Sequence, residues 1–322
     1  MMPFVSFCIS SYNQKDYFLE ALEGALAQDY PNMEVIVADD CSTDGSQAAI
    51  RARVERYRAE SGAHPVVLKF NEQNLGIIKN REGLYALAKG RLIVNADGDD
   101  VSLPNRVSRV VEEWEKAGSK HTVICHGYIR MTDTGKDMGP AKPFPAETPL
   151  GAVIAYDRRV LTEFPEVSVL GPIDDHVFAK RALMLGEALY FDEPLVRYRT
   201  GRGISTGSKM RIRRARIATF NFHAAEQSVI DLEYVRNALP ADRYAKAKQL
   251  VDKQYAEYHG SMLLTGGSTI FERWRGLEEL KQIGFFSGRS RGFCLYASFY
   301  LPPKWLCDIL LCIYGRLVLH GK

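Results

Sequence analysis

Three carboxylates occupy four positions in the sequence Asp97-Gly98-Asp99-Asp100, directly after the strand-like run of residues 91–96. Crowded carboxylates repel one another, so this arrangement contributes nothing to packing. Asp97 and Asp99 are separated by one residue and therefore point the same way from an extended strand end. Such a pair suits Mg²⁺ or Mn²⁺, which bind oxygen ligands and are often completed by substrate phosphates. A solvated acidic turn is the alternative, but the position after a buried strand favours the metal site.

Two further polar clusters follow the first and second strand-like runs, at residues 10–13 and 39–46. Ser10, Tyr12 and Asn13 supply polar groups and an aromatic ring that can stack on a base, or Asn13 simply caps the next helix. Asp40 ends the second strand, where an acid often recognises a ribose or a base. Its alternative role is in an Asx turn, with the following serine and threonine capping the next helix.

A fourth cluster, Asp174 and Asp175, begins the helix-like segment 174–186. The helix dipole favours acids at this end, so helix capping explains them without any function. If the helix faces the same cleft as the other clusters, one of the two acids can accept a proton from an attacking hydroxyl as a general base. The local sequence is equally compatible with both interpretations.

The segments that carry these clusters alternate between short apolar strands and amphipathic helices over the first hundred residues. This pattern predicts an α/β fold, with a mostly parallel sheet and helices on both faces. Ligands of such sheets bind at the carboxyl ends of the strands, where three of the clusters fall, so we expect one shared site. The predicted strands are 4–10, 34–38, 66–70, 91–96, 121–129 and 194–199; the predicted helices are 16–28, 46–60, 80–90, 104–117, 157–164 and 174–186, with a loop over 134–150.

Composition and absent motifs narrow the function classes. The chain has 322 residues, of which 46% are hydrophobic and 25% charged, as in ordinary globular proteins. No GxGxxG follows the first strand and no GxxxxGK[ST] occurs, so both the dinucleotide and P-loop fingerprints are missing. The six cysteines have no CxxC spacing, which favours free thiols in a reducing compartment. With no signal-peptide pattern and no long uncharged apolar run, we expect a cytoplasmic protein.

Charge is unevenly distributed along the chain. Residues 1–200 have a net charge of −6, whereas residues 201–322 have a net charge of +9 and read as mostly helical. Residues 302–322 form an amphipathic, aromatic-rich pattern that predicts a peripheral helix on the cytoplasmic face of the membrane, drawn to anionic lipid. The same stripe could instead pack on the chain itself or on a second subunit in a homo-oligomer. RNA-binding signatures are absent, which argues against a nucleic-acid partner.

Taken together, the clusters resemble the inverting glycosyltransferases of family 2, which have the GT-A fold. The resemblance covers roughly residues 3–200 and ends near residue 207. It predicts a GT-A nucleotide-sugar-binding and catalytic domain over 1–207 and a basic, mainly helical C-terminal region over 208–322. The motifs that carry it, in the order and spacing of the family, are VSFCISSYN, MEVIVADDCSTDGS, NLGIIKNREGLYALAKG, LIVNADGDDVSLPNR and DDHVFAKRAL.

The resemblance implies a nucleotide-sugar donor, with a UDP-sugar favoured, and a Mn²⁺ or Mg²⁺ cofactor. The donor's base and ribose would lie near Ser10, Tyr12 and Asp40, with Asn13 beside them. Asp97 and Asp99 match the DxD pair, and Asp99 would be the closer metal ligand. Lys79 and Arg81 could assist at the donor phosphates, or they could simply be solvated charges on a surface helix. The segment 194–206 also resembles the family and would close the catalytic domain with a loop over the donor. Arg199, Arg202 and Ser205 could contact phosphates there, or the basic, glycine-containing loop could simply be mobile.

The resemblance also implies the chemistry of the acceptor side. Asp175 matches the base that deprotonates the acceptor hydroxyl, and Asp174 is the second candidate. The reaction would be a single displacement with inversion, in which a glycan or lipid-linked acceptor receives the sugar during cell-surface polysaccharide synthesis. Asp174 stands where glutamate is commoner in the family, and Cys41 stands where glycine is frequent.

Two other function classes were weighed against this hypothesis. A sugar-phosphate nucleotidyltransferase would normally show a glycine-rich basic loop after the first strand, where this chain has SSYNQKDYF. A non-catalytic protein could use the basic C-terminal region to bind membrane or nucleic acid. An inactive relative should have lost an acid at position 97, 99 or 175, and all three are retained.

Overall fold

The computed structural model describes residues 2–60, 62–169, 174–200, 210–267, 269–286 and 300–301. The strands in these ranges are β1 Val5–Ser11, β2 Met33–Asp39, β3 Val66–Phe70, β4 Leu92–Asp97, β5 Val101–Ser102, β6 Val123–Met131, β7 Asp137–Ala141, β8 Ile154–Asp157 and β9 Ala188–Arg199. The helices are α1 Lys15–Leu26, α2 Ser46–Ala59, α3 Ile77–Tyr85, α4 Arg106–Lys116, α5 Arg159–Thr162, α6 Asp174–Leu185, α7 Met210–Tyr234, α8 Ala241–Gly266 and α9 Ile270–Gln282.

Half of the sheet is parallel, in the order β3-β2-β1-β4. These strands are apolar runs because both of their faces are covered. Alternate residues of β1 serve the two faces: Phe7 packs in a core with α1, α2 and α4, and Cys8 in a core with α3 and α6. The carboxyl ends of β1, β2 and β4 consequently meet at one edge of the sheet, where the polar clusters follow.

The other half of the sheet is mixed, with β8 antiparallel to β4 and β6 and with β6 parallel to β9. The predicted α/β fold class is confirmed. The 134–150 loop prediction was wrong in part, because residues 137–141 form β7 at the sheet edge, where Pro140 is tolerated. Helix α5 is a single turn, and β9 begins six residues earlier than predicted.

The C-terminal region is helical in its described part and packs against α6. Met184 of α6 lies in one apolar cluster with Leu232 and Val251 of α7 and α8. A buried ion pair between Arg181 and Asp231, with donor–acceptor distances of 2.7 and 2.9 Å, joins α6 to α7. The predicted division at residue 207 stays a prediction, because Arg202, Ser205 and the rest of 201–209 lie outside the described residues.

Membrane association also stays a prediction. Within the part of the chain that the structure describes, no helix combines the length and apolarity needed to cross a bilayer. The amphipathic stripe at 302–322 lies outside that part. Cys8, Cys41 and Cys125 are free thiols, as the spacing predicts.

Candidate functional site

The Asp97–Asp100 turn begins where β4 ends, and Asp97 pairs in register with Ser10 of β1. A Cβ atom on Gly98 would lie 2.8 Å from the Ser10 carbonyl oxygen and 2.4 Å from the Gln14 Oε1 atom, which is closer than real Cβ contacts. Only glycine therefore lets the turn approach β1 this closely. Asp100 is buried, and its Oδ1 atom accepts a 2.7 Å hydrogen bond from the Arg199 backbone N–H. The third acid of the motif thus anchors β9.

Arg199 supports the turn from within the protein. Its Nε atom donates to the Asp99 carbonyl oxygen at 3.0 Å, and its Nη2 atom donates to Glu20 at 2.8 Å. The guanidinium lies 4.6 Å from the centre of the Tyr17 ring. Because Arg199 is buried and its donors are engaged within the protein, the structure favours a supporting role over the phosphate contact suggested by the sequence.

Arg81 links two of the acidic clusters directly. Its buried guanidinium donates from Nη2 to Asp97 at 2.5 Å and from Nε to Asp174 at 2.8 Å. A third bond, of 3.0 Å, goes to the Ala96 carbonyl oxygen. One cation therefore brings the end of β4 and the start of α6 together, although they are far apart in sequence. Lys79, the other candidate for a phosphate contact, forms a 2.8 Å ion pair with Glu82, and its donor-binding role stays a prediction.

Asp175 is held beside β4 by a chain of hydrogen bonds. Its Oδ2 atom accepts from the Gly151 backbone N–H at 3.0 Å, and its Oδ1 atom accepts from the His176 backbone N–H at 2.9 Å. The Gly151 carbonyl oxygen accepts from Asn95 of β4 at 2.9 Å, and Tyr85 donates to the Asn95 side chain at 2.8 Å. The 3₁₀ turn that begins at Gly151 thus fixes the orientation of this carboxylate relative to β4.

The acids of this cleft influence one another's protonation. Burial raises the pKa of Asp175 to about 8, and the charges of Asp174 and Asp97 add to the shift. Burial and the charge of Asp97 raise the pKa of Asp99 to about 6. Burial also raises the pKa of Asp174, although the Arg81 guanidinium opposes that shift. The Arg81 bridge and this coupling place the acidic turn after β4 next to the start of α6. The local sequence around Asp174 and Asp175 left helix capping equally open.

The loops after β1 and β2 also meet at this edge. The Asn13 backbone N–H donates to Ser42 Oγ at 2.8 Å, and its side-chain oxygen accepts from the Thr43 backbone N–H at 2.9 Å. Asn13 has a φ of 50°, and its side chain does not cap α1. It therefore joins the two loops. Ser10 is partly buried, and 49% of Tyr12 is exposed beside it.

Asp40 is buried and organises the segment before α3. Its Oδ1 atom accepts from the Leu75 backbone N–H and from Asn71, both at 2.8 Å, and its Oδ2 atom accepts from the Gly76 backbone N–H at 2.9 Å. The neighbouring Asp39 makes the Asx-type bond that the sequence considered for Asp40. Asp40 thus sets the start of the helix that carries Arg81. Donor-binding roles for Ser10, Tyr12, Asn13 and Asp40 stay predictions.

Comparison with known sequences decides the family. Residues 6–165 match the profile of Glycosyl transferase family 2. The chain contains a glycosyltransferase family 2 domain. Its matched segment contains the first three acidic or polar clusters, and the Asp174–Asp175 pair follows it.

Curated relatives of this family 2 chain match only parts of its length. The succinoglycan biosynthesis protein ExoO of Rhizobium meliloti is 33% identical over 131 residues, which is 38% of this chain and 33% of ExoO. WcaA of Escherichia coli K12, provisionally named as a colanic acid biosynthesis glycosyl transferase, is 28% identical over 158 residues, or 49% of this chain and 52% of WcaA. The matches thus span about a third to a half of these relatives.

Solved structures confirm the GT-A fold. Staphylococcus aureus TarS 1–349 superposes with a TM-score of 0.58 and 16% identity, covering 99% of this chain and 92% of that one. The mannosyltransferase PcManGT from Pyrobaculum calidifontis, solved with GDP-Man and Mn²⁺, gives a TM-score of 0.58 and 15% identity, with 100% and 88% coverage. At these identities the likeness concerns the fold alone.

The acidic turn of the family 2 domain has the donor atoms that a hard cation needs. The side chain of Asp97 is 34% exposed. The pKa of Asp99 is raised, and a bound cation would lower it again. The described ranges contain no group of three or more His, Cys, Asp or Glu side chains that could hold a metal alone. Two carboxylates therefore fit Mg²⁺ or Mn²⁺ only if substrate phosphates and water supply the other ligands.

Sequence reasoning missed a buried contact that α6 and α8 make with the segment before Gly151. The buried Lys180 Nζ atom and the Gln254 Nε2 atom both donate to the Glu147 carbonyl oxygen, the latter at 3.1 Å. Burial lowers the pKa of Lys180 to about 8. The Tyr258 hydroxyl lies 3.5 Å from His176 Nδ1. The C-terminal region thus contacts the segment that leads to Gly151 and Asp175, and no local pattern in the sequence marks this contact.

Replacing Arg81 with methionine is expected to lower the free energy of unfolding by about 3–5 kcal/mol, because two buried or half-buried carboxylates lose their shared cation. The loss should be larger at pH 8 than at pH 5, since the unpaired acids can be protonated only at the lower pH. Urea unfolding at both pH values measures it. Lys79→Met, on the same helix but at a half-exposed site, should change stability by less than about 1 kcal/mol. Equal losses in the two variants would show that Arg81 is not the link.

Proposed function

We propose that the protein is a metal-dependent inverting glycosyltransferase. It would move a sugar from a nucleotide-sugar donor to a hydroxyl of a glycan or lipid-linked acceptor in cell-surface polysaccharide synthesis. The observation that carries this proposal is the bridge made by Arg81, which joins Asp97 of the acidic turn to Asp174, next to Asp175. A donor-side acid and an acceptor-side base are thereby adjacent in one cleft.

A nucleotide-sugar donor is supported by the similar solved structures and by the residues at the carboxyl end of β1. TarS 1–349 has been solved in complex with UDP-GlcNAc, at a TM-score of 0.52 to this chain, and PcManGT with GDP-Man. Ser10 and the half-exposed Tyr12 lie at the carboxyl end of β1, beside the acidic turn. This is where a nucleotide bound at the strand ends would place its base. A UDP-sugar stays the favoured donor.

Asp99 and Asp97 would hold the divalent cation. When bound, such an ion supplies positive charge that stabilises the departing diphosphate. The chain itself contributes the position of the two carboxylates: Gly98 allows the turn to reach β1, and Arg81 fixes Asp97. Arg199, held by Asp100, keeps the turn in place from the opposite side.

Asp175 is favoured over Asp174 as the general base. The Oδ2 atom of Asp174 accepts from Arg81, and that side chain is buried, so this carboxylate acts in positioning. The Asp175 carboxylate is oriented by two backbone N–H groups and carries no ion pair among the described residues. In its ionised form it would take the proton from the acceptor hydroxyl as that oxygen attacks the anomeric carbon. A base with a pKa near the working pH is efficient in this role.

The experiment that tests the proposal is a panel of nucleotide sugars, scored first by thermal stabilisation and then by release of nucleoside diphosphate. At about 100 times its Kd, a true donor with Mn²⁺ should raise the melting temperature by roughly 5 °C. EDTA should remove the effect, and the sugar 1-phosphate without the nucleotide should give none. Stabilisation by nucleoside triphosphate plus sugar 1-phosphate, with pyrophosphate as product, would instead favour the nucleotidyltransferase alternative.

A further inference from the structure

A cavity of about 990 Å³ lies at the edge of the sheet opposite to the acidic cleft. Phe4 and Arg91, the residues directly before β1 and β4, line it. Arg91 and Asp97 lie six residues apart along β4, which corresponds to roughly 20 Å at the rise of an extended strand. The cavity is therefore distinct from the proposed active site, and no step of the proposed reaction uses it.

The lining of this cavity is strongly positive. It contains six cationic side chains and two carboxylates, an excess of four positive charges. Five of the six cations come from residues 1–200, a segment whose net charge is −6. The cavity therefore concentrates positive charge within a segment that is negative as a whole. The cations are Lys89, Arg91, Lys120, Arg158, Arg159 and Arg243.

A buried carboxylate fixes two of these cations in place. Only 1% of Asp157 is exposed, and its Oδ2 atom accepts from Arg91 and from Arg159, each at 3.3 Å. Its Oδ1 atom accepts from Arg159 Nε at 3.1 Å. The side chains of Arg91 and Arg159 remain 54% and 41% exposed. One negative charge thus holds two positive charges side by side, and each guanidinium keeps N–H donors beyond those bonds.

Three further cations on the lining lack a counter-charge among the described residues. The side chains of Lys89, Lys120 and Arg158 belong to exposed residues and form no ion pair with any residue of the described ranges. Concentrated positive charge of this kind raises the local concentration of anions. Paired guanidinium groups match the geometry of phosphate oxygens, and lysines add point charges. The cavity also has the size of small-molecule sites.

We infer that this cavity binds a multiply charged phosphate group. Arg91 and Arg159, held by Asp157, would contact its oxygens, and Lys89, Lys120 and Arg158 would neutralise the remaining charge. The group is carried either by a soluble phosphorylated compound or by a lipid headgroup. The second source is compatible with Arg243, which brings the basic C-terminal region to the same cavity.

The first arm of the test is isothermal titration of the full-length protein with sodium pyrophosphate in EDTA, which removes the cation needed at Asp97 and Asp99. The wild-type protein should bind, and Arg158→Glu should weaken binding at least about tenfold, because it converts an attraction into a repulsion. Arg56→Glu, an equal charge change at an exposed site on α2 outside the cavity, should change binding no more than about twofold. Lys120→Glu provides a second cavity variant if Arg158→Glu does not fold.

The second arm is co-sedimentation with phosphatidylcholine vesicles, with and without phosphatidic acid. One outcome is that vesicles retain the protein only when they contain phosphatidic acid. If Arg158→Glu then weakens this retention and Arg56→Glu does not, the site is supported and its phosphate group belongs to a lipid headgroup. If pyrophosphate binding is weakened by Arg158→Glu but not by Arg56→Glu, and the vesicles do not retain the protein, the site is supported and its ligand is a soluble phosphorylated compound. Equal responses of the cavity and control variants, or no binding of either probe by the wild-type protein, would overturn the inference.

Discussion

The Asp175→Asn variant is expected to transfer sugar roughly 10²–10⁴-fold more slowly than the wild-type protein, because its side chain can no longer accept the acceptor's proton. Donor binding should be nearly unchanged, since the proposed role of Asp175 is towards the acceptor and Asp175 forms no hydrogen bond with Arg81. The wild-type kcat/KM should rise as pH increases towards 8, because burial raises the pKa of Asp175 to about 8 in the free protein and only the ionised carboxylate can act as a base. Initial rates between pH 5.5 and 9 measure both effects.

Stability provides an independent readout for the same variant. The folded wild-type protein binds more protons at Asp175 than the unfolded chain does between the ordinary carboxyl pKa and about pH 8. Its stability therefore contains a contribution that falls as pH rises through this window. Asp175→Asn has no such contribution. The melting temperature of the variant minus that of the wild-type protein should therefore increase between pH 5 and pH 8. Asp252→Asn, at an exposed site on α8, is the control for both measurements. Undiminished transfer in Asp175→Asn would remove Asp175 from the role of base.

Asp99→Ala is expected to weaken Mn²⁺-dependent donor binding by about 100-fold or more and to abolish transfer, because the cation loses one of its two protein carboxylates. Its stability should remain close to that of wild type, since removing Asp99 relieves the repulsion with Asp97. Titration of the donor in Mn²⁺ and in EDTA measures the binding, and urea unfolding measures the stability.

The neighbouring acid provides the matched control. Asp100 is buried and accepts from the Arg199 backbone N–H, so Asp100→Ala should cost about 1–3 kcal/mol of stability through that unpaired group. The two adjacent variants should thus differ in kind: one loses metal-dependent binding and the other loses stability. If Asp99→Ala binds the donor as well in Mn²⁺ as the wild-type protein does, the metal assignment fails.

The parallel half of the sheet could be predicted closely from the sequence. The run at 66–70 forms β3 with the same bounds, and the predictions at 34–38 and 91–96 differ from β2 and β4 by one residue at each end. These strands are buried on both faces, so continuous apolar runs mark them. β7 was missed because Gly139 and Pro140 indicate a turn, and only pairing with β6 makes that segment a strand.

The position of the acidic turn could also be predicted, because carboxylates directly after an apolar strand stand out in a linear pattern. The metal-binding and catalytic roles of the acids stay predictions. The role of Arg81 could not be predicted. A cation on a helix looks the same in sequence whether it is solvated or buried between two acids, and its partner Asp174 lies 93 residues away. Lys180 and Gln254 were missed for the same reason, since their meeting at the Glu147 carbonyl oxygen depends on how α8 packs against α6.

The central claim is that the acidic turn and the start of α6 form one cleft that holds a cation-bound diphosphate. A crystal structure of the protein with Mn²⁺ and its nucleotide-sugar donor, with data collected for anomalous scattering from manganese, tests it most directly. We predict a manganese peak at the Asp97 and Asp99 carboxylates, with the donor diphosphate beside it and Asp175 facing the sugar. A donor bound in the cavity beside Arg91, or a manganese peak away from both carboxylates, would contradict the assignment.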